Sequence, residues 1–205
     1  MNDFYAKEFA GKLIVRFDDT NPTKENQEFV DAIMEDLKTL GISADVVTYT
    51  SDHFGMLQDV AEKMIKLGHA YIDDTPVDLM REWRMAGQAS PRREQSVEDN
   101  LNLWKEMVDG TTTGLTCCLR ANIDMKHKNT AMRDPTMYRC VPDPPHHRTG
   151  KKFKAYPCYD FCCPIVDAHE GVTHAMRTNE YHDRNEQYVL PLTLQLNRCI
   201  IHYFL

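Results

Sequence analysis

Two adjacent carboxylates, Asp18 and Asp19, close the run Lys12-Leu13-Ile14-Val15-Arg16-Phe17 and are followed at once by Thr20, Asn21 and Pro22. Leu13, Val15 and Phe17 alternate with Ile14 and Arg16, which predicts a strand. Thr20 and Asn21 are cap candidates ahead of a proline that suits a first helical turn. Both acids therefore fall at the carboxyl end of a strand, where open α/β sheets bind ligands, and such carboxylates can hold an ammonium group or a metal. Taken alone, an Asp-Asp pair is also readable as two solvated turn residues. A second reactive set, Cys140, His146, His147, Cys158, Cys162 and Cys163, has the donor types of a zinc site without a paired Cys-x-x-Cys spacing, so no tightly bound metal is expected.

Phosphate chemistry is suggested by Arg92-Arg93, by Lys126-His127-Lys128, and by the stretch His146-His147-Arg148 through Lys151, Lys152 and Lys154. The formal net charge is −7, but it is unevenly spread. Residues 1–75 carry 7 basic and 15 acidic side chains, residues 76–156 carry 14 and 10, and residues 157–205 carry 3 and 6. The middle is the basic part, and a runs-of-charge surface can equally be a solvated face. The 205 residues, 42% hydrophobic and 27% charged, suit a soluble globular protein. No apolar run reaches the roughly 18 residues of a membrane span, and the acidic, polar start lacks the regions of a signal peptide, so a cytoplasmic protein is expected. Seven cysteines, two pairs of them adjacent, read as free thiols in a reducing compartment.

The elements that must position these groups follow from periodicity. Phe29, Ile33, Leu37 and Leu40 recur at helical spacing up to Gly41; Asp45 to Thr50 is a β-branched run; Ser51 is an N-cap candidate for a helix carrying Leu57, Val60, Ala61, Met64, Ile65 and Leu67; and His69 to Ile72 is a short strand. Strand, helix, strand, helix, strand predicts right-handed crossovers and a parallel sheet. After Thr75 the pattern changes to proline, arginine and glycine punctuation, a helix from Ser96 to Gly110, and two strands within Leu115–Met125 and Met132–Val141, which reads as an inserted domain. From Tyr156 come an aromatic segment, a helix from Ile165 to His169 ending at Gly171, a strand Val172–Thr178 and a polar helix start over Glu180–Gln187.

Five blocks, Arg16-Phe17-Asp18-Asp19-Thr20-Asn21-Pro22, Met132-Arg133-Asp134-Pro135, Tyr156-Pro157-Cys158-Tyr159-Asp160-Phe161, Glu170-Gly171-Val172-Thr173-His174-Ala175-Met176-Arg177 and Glu180-Tyr181-His182-Asp183-Arg184, together resemble the catalytic core of glutamyl-tRNA synthetase in its eukaryotic and archaeal-type branch. The resemblance runs from about residue 8 to residue 188. It implies a class I Rossmann-type α/β fold interrupted by an α+β acceptor-stem-binding insertion. The expected division is 1–75 for the first part of the Rossmann core, 76–156 for the insertion, and 157–205 for the second part with a divergent tail.

By that resemblance Asp18 holds the α-ammonium of glutamate, Tyr159 lines the same pocket, and Arg177 pairs with the side-chain carboxylate, which favours glutamate over glutamine. Thr178 looks similar to a residue that touches ATP, and Pro135 and Asp183 to positions that approach the acceptor stem. The implied reaction is attack of the glutamate α-carboxylate on the α-phosphate of magnesium-bound ATP, then transfer of the glutamyl group to tRNA. It relies on positioning and charge stabilisation. Glutamate, ATP, tRNA and other proteins of a synthetase complex are the partners it suggests.

The chain departs from the family pattern in lacking both a His-x-Gly-His signature and a Lys-Met-Ser-Lys-Ser loop, with no Gly-rich loop in their place. Val189 to Leu196 also sets a proline where a helix should continue. A truncated, impaired catalytic core is the resulting expectation. The alternatives are a non-catalytic fragment that binds tRNA or protein, and a glutaminyl-tRNA synthetase.

Overall fold

The computed structural model describes residues 1–189. Helix α1 (Asn2–Glu8) leads into β1 (Ile14–Phe17), α2 (Gln27–Thr39) and β2 (Val46–Tyr49). β1 and β2 pair in parallel, Ile14 beside Val46 through Phe17 beside Tyr49. A 3-10 turn, Thr50–His53, runs directly into α3 (Phe54–Lys66), and β3 (Ala70–Asp73) follows. Next come α4 (Val77–Ala86), α5 (Val97–Asp109), the single-turn α6 (Thr112–Leu115), β4 (Cys118–Ala121), β5 (Thr136–Cys140), β6 (Ala155–Pro157) and α7 (Tyr159–Glu170). The α/β class is as expected: a parallel pair precedes a four-stranded antiparallel sheet in the order β3-β4-β5-β6.

The third strand differs from the sequence expectation, because β3 pairs antiparallel with β4 instead of extending the parallel sheet. Hydrophobic periodicity carries no information on a strand's partner, whereas buried charge does. Asp73 at the end of β3 is fully buried, and its Oδ2 accepts from Nη1 of equally buried Arg120 on β4 at 2.6 Å. A buried carboxylate without that cation would be strongly destabilising, so the pair ties β3 to β4. The main core lies on this sheet: Phe54, Leu57, Ala61, Met64 and Ile65 of α3, Trp104 and Met107 of α5, and Phe161, Ile165 and Val166 of α7 cover it.

Other boundaries are set by local hydrogen bonds. The helix after the Asp-Asp pair starts at Gln27, not at Pro22. The carbonyl of Asn21 accepts from the amides of Lys24 and Glu25, making a turn, and Asn26 then caps α2 by accepting from Phe29 N. Ser51 is no cap either; it lies inside the 3-10 turn, and its hydroxyl accepts from Arg148. Ser96 does cap α5, its side chain accepting from Asp99 N, and Gly110 closes that helix in the left-handed conformation. α7 begins six residues before the expected Ile165, with Pro164 removing the donor to the Asp160 carbonyl near the helix start. Residues 172–178 form no strand: among the described residues no neighbouring strand supplies a ladder, so the segment is held by side chains instead. The 3-10 turn Asn179–Arg184 occupies the expected polar helix start. The proline-interrupted tail from 190 onward lies outside the described residues.

Candidate active site

The strand-end acids separate into two roles. Asp19 is 1% exposed and braces the backbone: Oδ1 accepts from Ser51 N at 2.8 Å, while Oδ2 lies 3.7 Å from both His146 Nε2 and Arg148 Nη1. His146, buried at 2% and 2.6 Å from the Asp19 carbonyl through Nε2, and Arg148, bonded to Ser51 and Asp52, are therefore tied into the scaffold. The sequence had placed both in a phosphate-binding run. Asp18, half-buried, points to the other side of the strand end, where Cys162 Sγ approaches its Oδ1 at 3.8 Å. Burial pushes its carboxyl above the usual range; Asp19's charge adds to this, and hydrogen bonds from Thr20, Thr50 and Cys162 work against it.

α7 places Tyr159, Cys162, Cys163 and Asp167 on one face by its i, i+3, i+4 spacing. Cys162 Sγ also lies 3.6 Å from the backbone carbonyl of Tyr159, one turn earlier in the same helix. Cys163 faces Arg177, whose Nη2 lies 2.9 Å from its Sγ and 3.4 Å from Asp167 Oδ2. The guanidinium carbon of Arg177 lies 5.7, 5.3 and 4.5 Å from the ring centres of Tyr159, Tyr181 and Tyr188, within cation–π range. Its side chain is only 12% exposed, which excludes the surface ion pair that its sequence context alone would allow. Burial opposes its charge, but the neighbouring Cys163 and tyrosines outweigh burial and hold the guanidinium protonated. Nη1 and Nε have no hydrogen-bond partner among the described residues, and either fork of the guanidinium, Nη1 with Nη2 or Nε with Nη2, shares Nη2 with Cys163 and Asp167.

Thr178 sits at the start of the 3-10 turn with its hydroxyl on Glu180 at 2.8 Å. Asp183 is exposed, and its carbonyl accepts from Asn129 Nδ2 at 2.6 Å. Pro135 is buried, and its carbonyl accepts from Ala121 N at 2.9 Å. α7 thus approaches Asp18 through Cys162 and Arg177 through Cys163, Asp183 touches the 127–133 loop, and Pro135 is buried. The basic runs are also partly consumed. Arg92 forks onto Asp74 at 2.8 and 2.6 Å, and Arg93 pairs with buried Asp134 at 2.8 Å. Lys126, Lys128, Lys151 and Lys152 are exposed without an ion-pair partner among the described residues. No group of three or more His, Cys, Asp or Glu suited to a metal occurs among those residues.

Sequence reasoning missed Arg16 and Asp167 as members of this site. Arg16 reaches from β1 to Asp167 and to Glu170 at 2.9 Å. The available signal was an arginine inside an apolar strand, which must find buried acids, and Asp167 and Glu170 sit one helical turn apart on α7.

Tyr159, Cys163, Arg177, Tyr181 and Tyr188 line one pocket, and Asp18 stands outside its lining. The whole chain from residue 1 to 204 matches the family tRNA synthetases class I (E and Q), catalytic domain. The chain belongs to that family. Within it, the sequence is 58% identical over 189 residues to a cytoplasmic glutamate–tRNA ligase of Saccharomyces cerevisiae and 55% identical over 188 residues to one of Arabidopsis thaliana, covering 92% of this chain in both cases. A probable cytoplasmic glutamate–tRNA ligase of Encephalitozoon cuniculi is 48% identical over 206 residues, the full length of this chain. The chain spans 27%, 26% and 32% of these relatives' lengths, respectively. Glutamate–tRNA synthetase structures from Elizabethkingia anophelis and Elizabethkingia meningosepticum superpose with TM-scores of 0.62 and 0.63 at 16% and 15% identity, covering all of this chain and 45% and 44% of theirs. At that identity the likeness establishes the shared fold.

Proposed function

We propose that this chain carries the amino-acid pocket of a glutamate–tRNA ligase, with Arg177 receiving the side-chain carboxylate of glutamate, Asp18 its α-ammonium, and Tyr159 the wall between them. The observation that carries this reading is the guanidinium of Arg177, set among three tyrosines with Nη1 and Nε unpaired among the described residues. A side-chain amide cannot accept two parallel N–H bonds with full charge, so glutamate is preferred over glutamine. Magnesium-bound ATP is the co-substrate, with Thr178 beside it. Residues 76–156 with Asp183 face the tRNA acceptor end, and the cations available to phosphate there are Lys126, Lys128, Lys151 and Lys152. The homologous enzymes are cytoplasmic, and that is the compartment proposed for this one.

Titration calorimetry of the 205-residue chain with glutamate and with glutamine tests the pocket, and tRNA-dependent ATP–pyrophosphate exchange tests the activity. Glutamate binding is expected to weaken by about 100-fold in Arg177→Ala, the loss of a buried bidentate ion pair of roughly 3 kcal/mol, with glutamine binding unchanged. Equal affinity of the variant for glutamate would overturn the assignment of Arg177. Binding without exchange would favour the non-catalytic alternative.

A further inference from the structure

Asp167 lies in the third turn of α7, 3% exposed, and is contacted by both Arg16 and Arg177. Arg16 Nη2 donates to its Oδ1. Its Oδ2 receives the Tyr188 hydroxyl, Arg177 Nη2 at 3.4 Å and Cys163 Sγ at 3.7 Å. The two arginines are not served equally. Arg16 has a second acid, Glu170 at 2.9 Å, and Glu170 in turn faces His53 Nε2 at 3.1 Å. Arg177 shares the one carboxylate and has no other among the described residues. Its positive charge is therefore only partly neutralised, with Nη2 held by Asp167 and Cys163 while Nη1 and Nε have no partner among the described residues. A planar fork held in one orientation is what bidentate carboxylate recognition requires.

We propose that Asp167 is the positioning residue that orients Arg177 and thereby sets the choice of a side-chain carboxylate over a side-chain amide, an inference that rests on the pocket reading above. Two effects of Asp167 oppose each other. Its negative charge repels an incoming carboxylate, and its hydrogen bond fixes the fork that must receive one. Orientation wins, because the charge is already spent on Arg16, whereas an unanchored Arg177 has a long flexible stem to order at every binding event.

The test measures affinities of the 205-residue chain for glutamate and glutamine, together with the NMR signals of the Arg177 guanidinium protons, in wild type, Asp167→Asn and Asp167→Glu. In Asp167→Asn, glutamate affinity is expected to fall by about tenfold with glutamine affinity unchanged, and the guanidinium signals to broaden as rotation is released. In Asp167→Glu, which retains the charge but shifts it by one methylene, selectivity is also expected to fall, by about fivefold. Unchanged or tighter glutamate binding by folded Asp167→Asn overturns the inference and makes Asp167 a mere counter-ion. If that variant does not fold, wild-type selectivity in Asp167→Glu overturns it instead. A wild-type chain that binds neither amino acid overturns the pocket reading, and this inference falls with it.

Discussion

Asp18 raises the pKa of a neighbour that no motif points to. Glu25 closes the turn begun at Asn21, its amide donating to the Asn21 carbonyl, and its Oε2 is buried without a hydrogen-bond partner. Burial pushes this carboxyl up to about 7; the charge of Asp18 adds to the rise, and the Asn21 backbone and Arg139 oppose it. Because the folded value lies above the unfolded one, Glu25 favours the unfolded state once it must ionise. The penalty is absent below the ordinary carboxylate range, grows as pH rises through it, and is complete above about 7. Glu25→Gln is therefore expected to raise stability by on the order of 1 kcal/mol at pH 8, after discounting for solvent screening, and to change nothing at pH 4. Thermal melts at the two pH values check this, and a gain confined to pH 4 would reverse the sign of the argument.

At the scale of elements, the legible features were those written in local chemistry, and the illegible ones were those decided by distant partners. The Ser96 cap, the Gly110 terminus and the strands β1, β2, β4 and β5 all follow from side-chain type and period. The antiparallel pairing of β3 depends on Arg120, nearly fifty residues away, and the failure of residues 172–178 to form a strand depends on a missing neighbour; neither leaves a periodic trace. The same division holds in the site, where Asp18, Tyr159 and Arg177 were recognisable by motif but Asp167 acquires meaning only when β1 is laid against α7. Close backbone approach is likewise visible only in three dimensions. Gly114 in α6 lies so near the Glu106 and Met107 backbone of α5 that a Cβ there would clash with main-chain atoms. Gly114→Ala is expected to destabilise the protein by about 2 kcal/mol through overpacking, read as a lowered denaturant midpoint with unchanged slope. A wild-type midpoint would show that α6 can move away at no cost.

Across the whole molecule, apolar burial is concentrated in one half. The antiparallel sheet is covered by α3, α5 and α7, and Leu57, Ile65, Ile72, Met107, Leu119 and Val166 are wholly inaccessible. Around the parallel pair the balance is reversed. α2 buries only Val30, while Phe29, Ile33, Met34 and Leu40 stand 57%, 45%, 37% and 72% exposed, and Val46 and Val47 of β2 are exposed beside them. The apolar stripe that sequence periodicity marks on this helix is thus uncovered among the described residues. Burial at roughly 25 cal/mol per Å² is what offsets the entropy of ordering a segment, so α1, β1, α2 and β2 should open at lower free energy than the rest. Hydrogen exchange is expected to show β4 and β5 amides exchanging only through global unfolding, and β1 and β2 amides exchanging at least about 100-fold faster through local opening, a gap of roughly 3 kcal/mol. Asp18 sits at the mobile side of that boundary, whereas α7, with Tyr159, Cys163 and Asp167, sits at the firm side. If glutamate bridges Asp18 and Arg177 as proposed, saturating glutamate should then slow exchange in β1 more than in β4. Equal protection of both sheets without ligand would mean that the parallel pair is held by something other than the buried surface seen here.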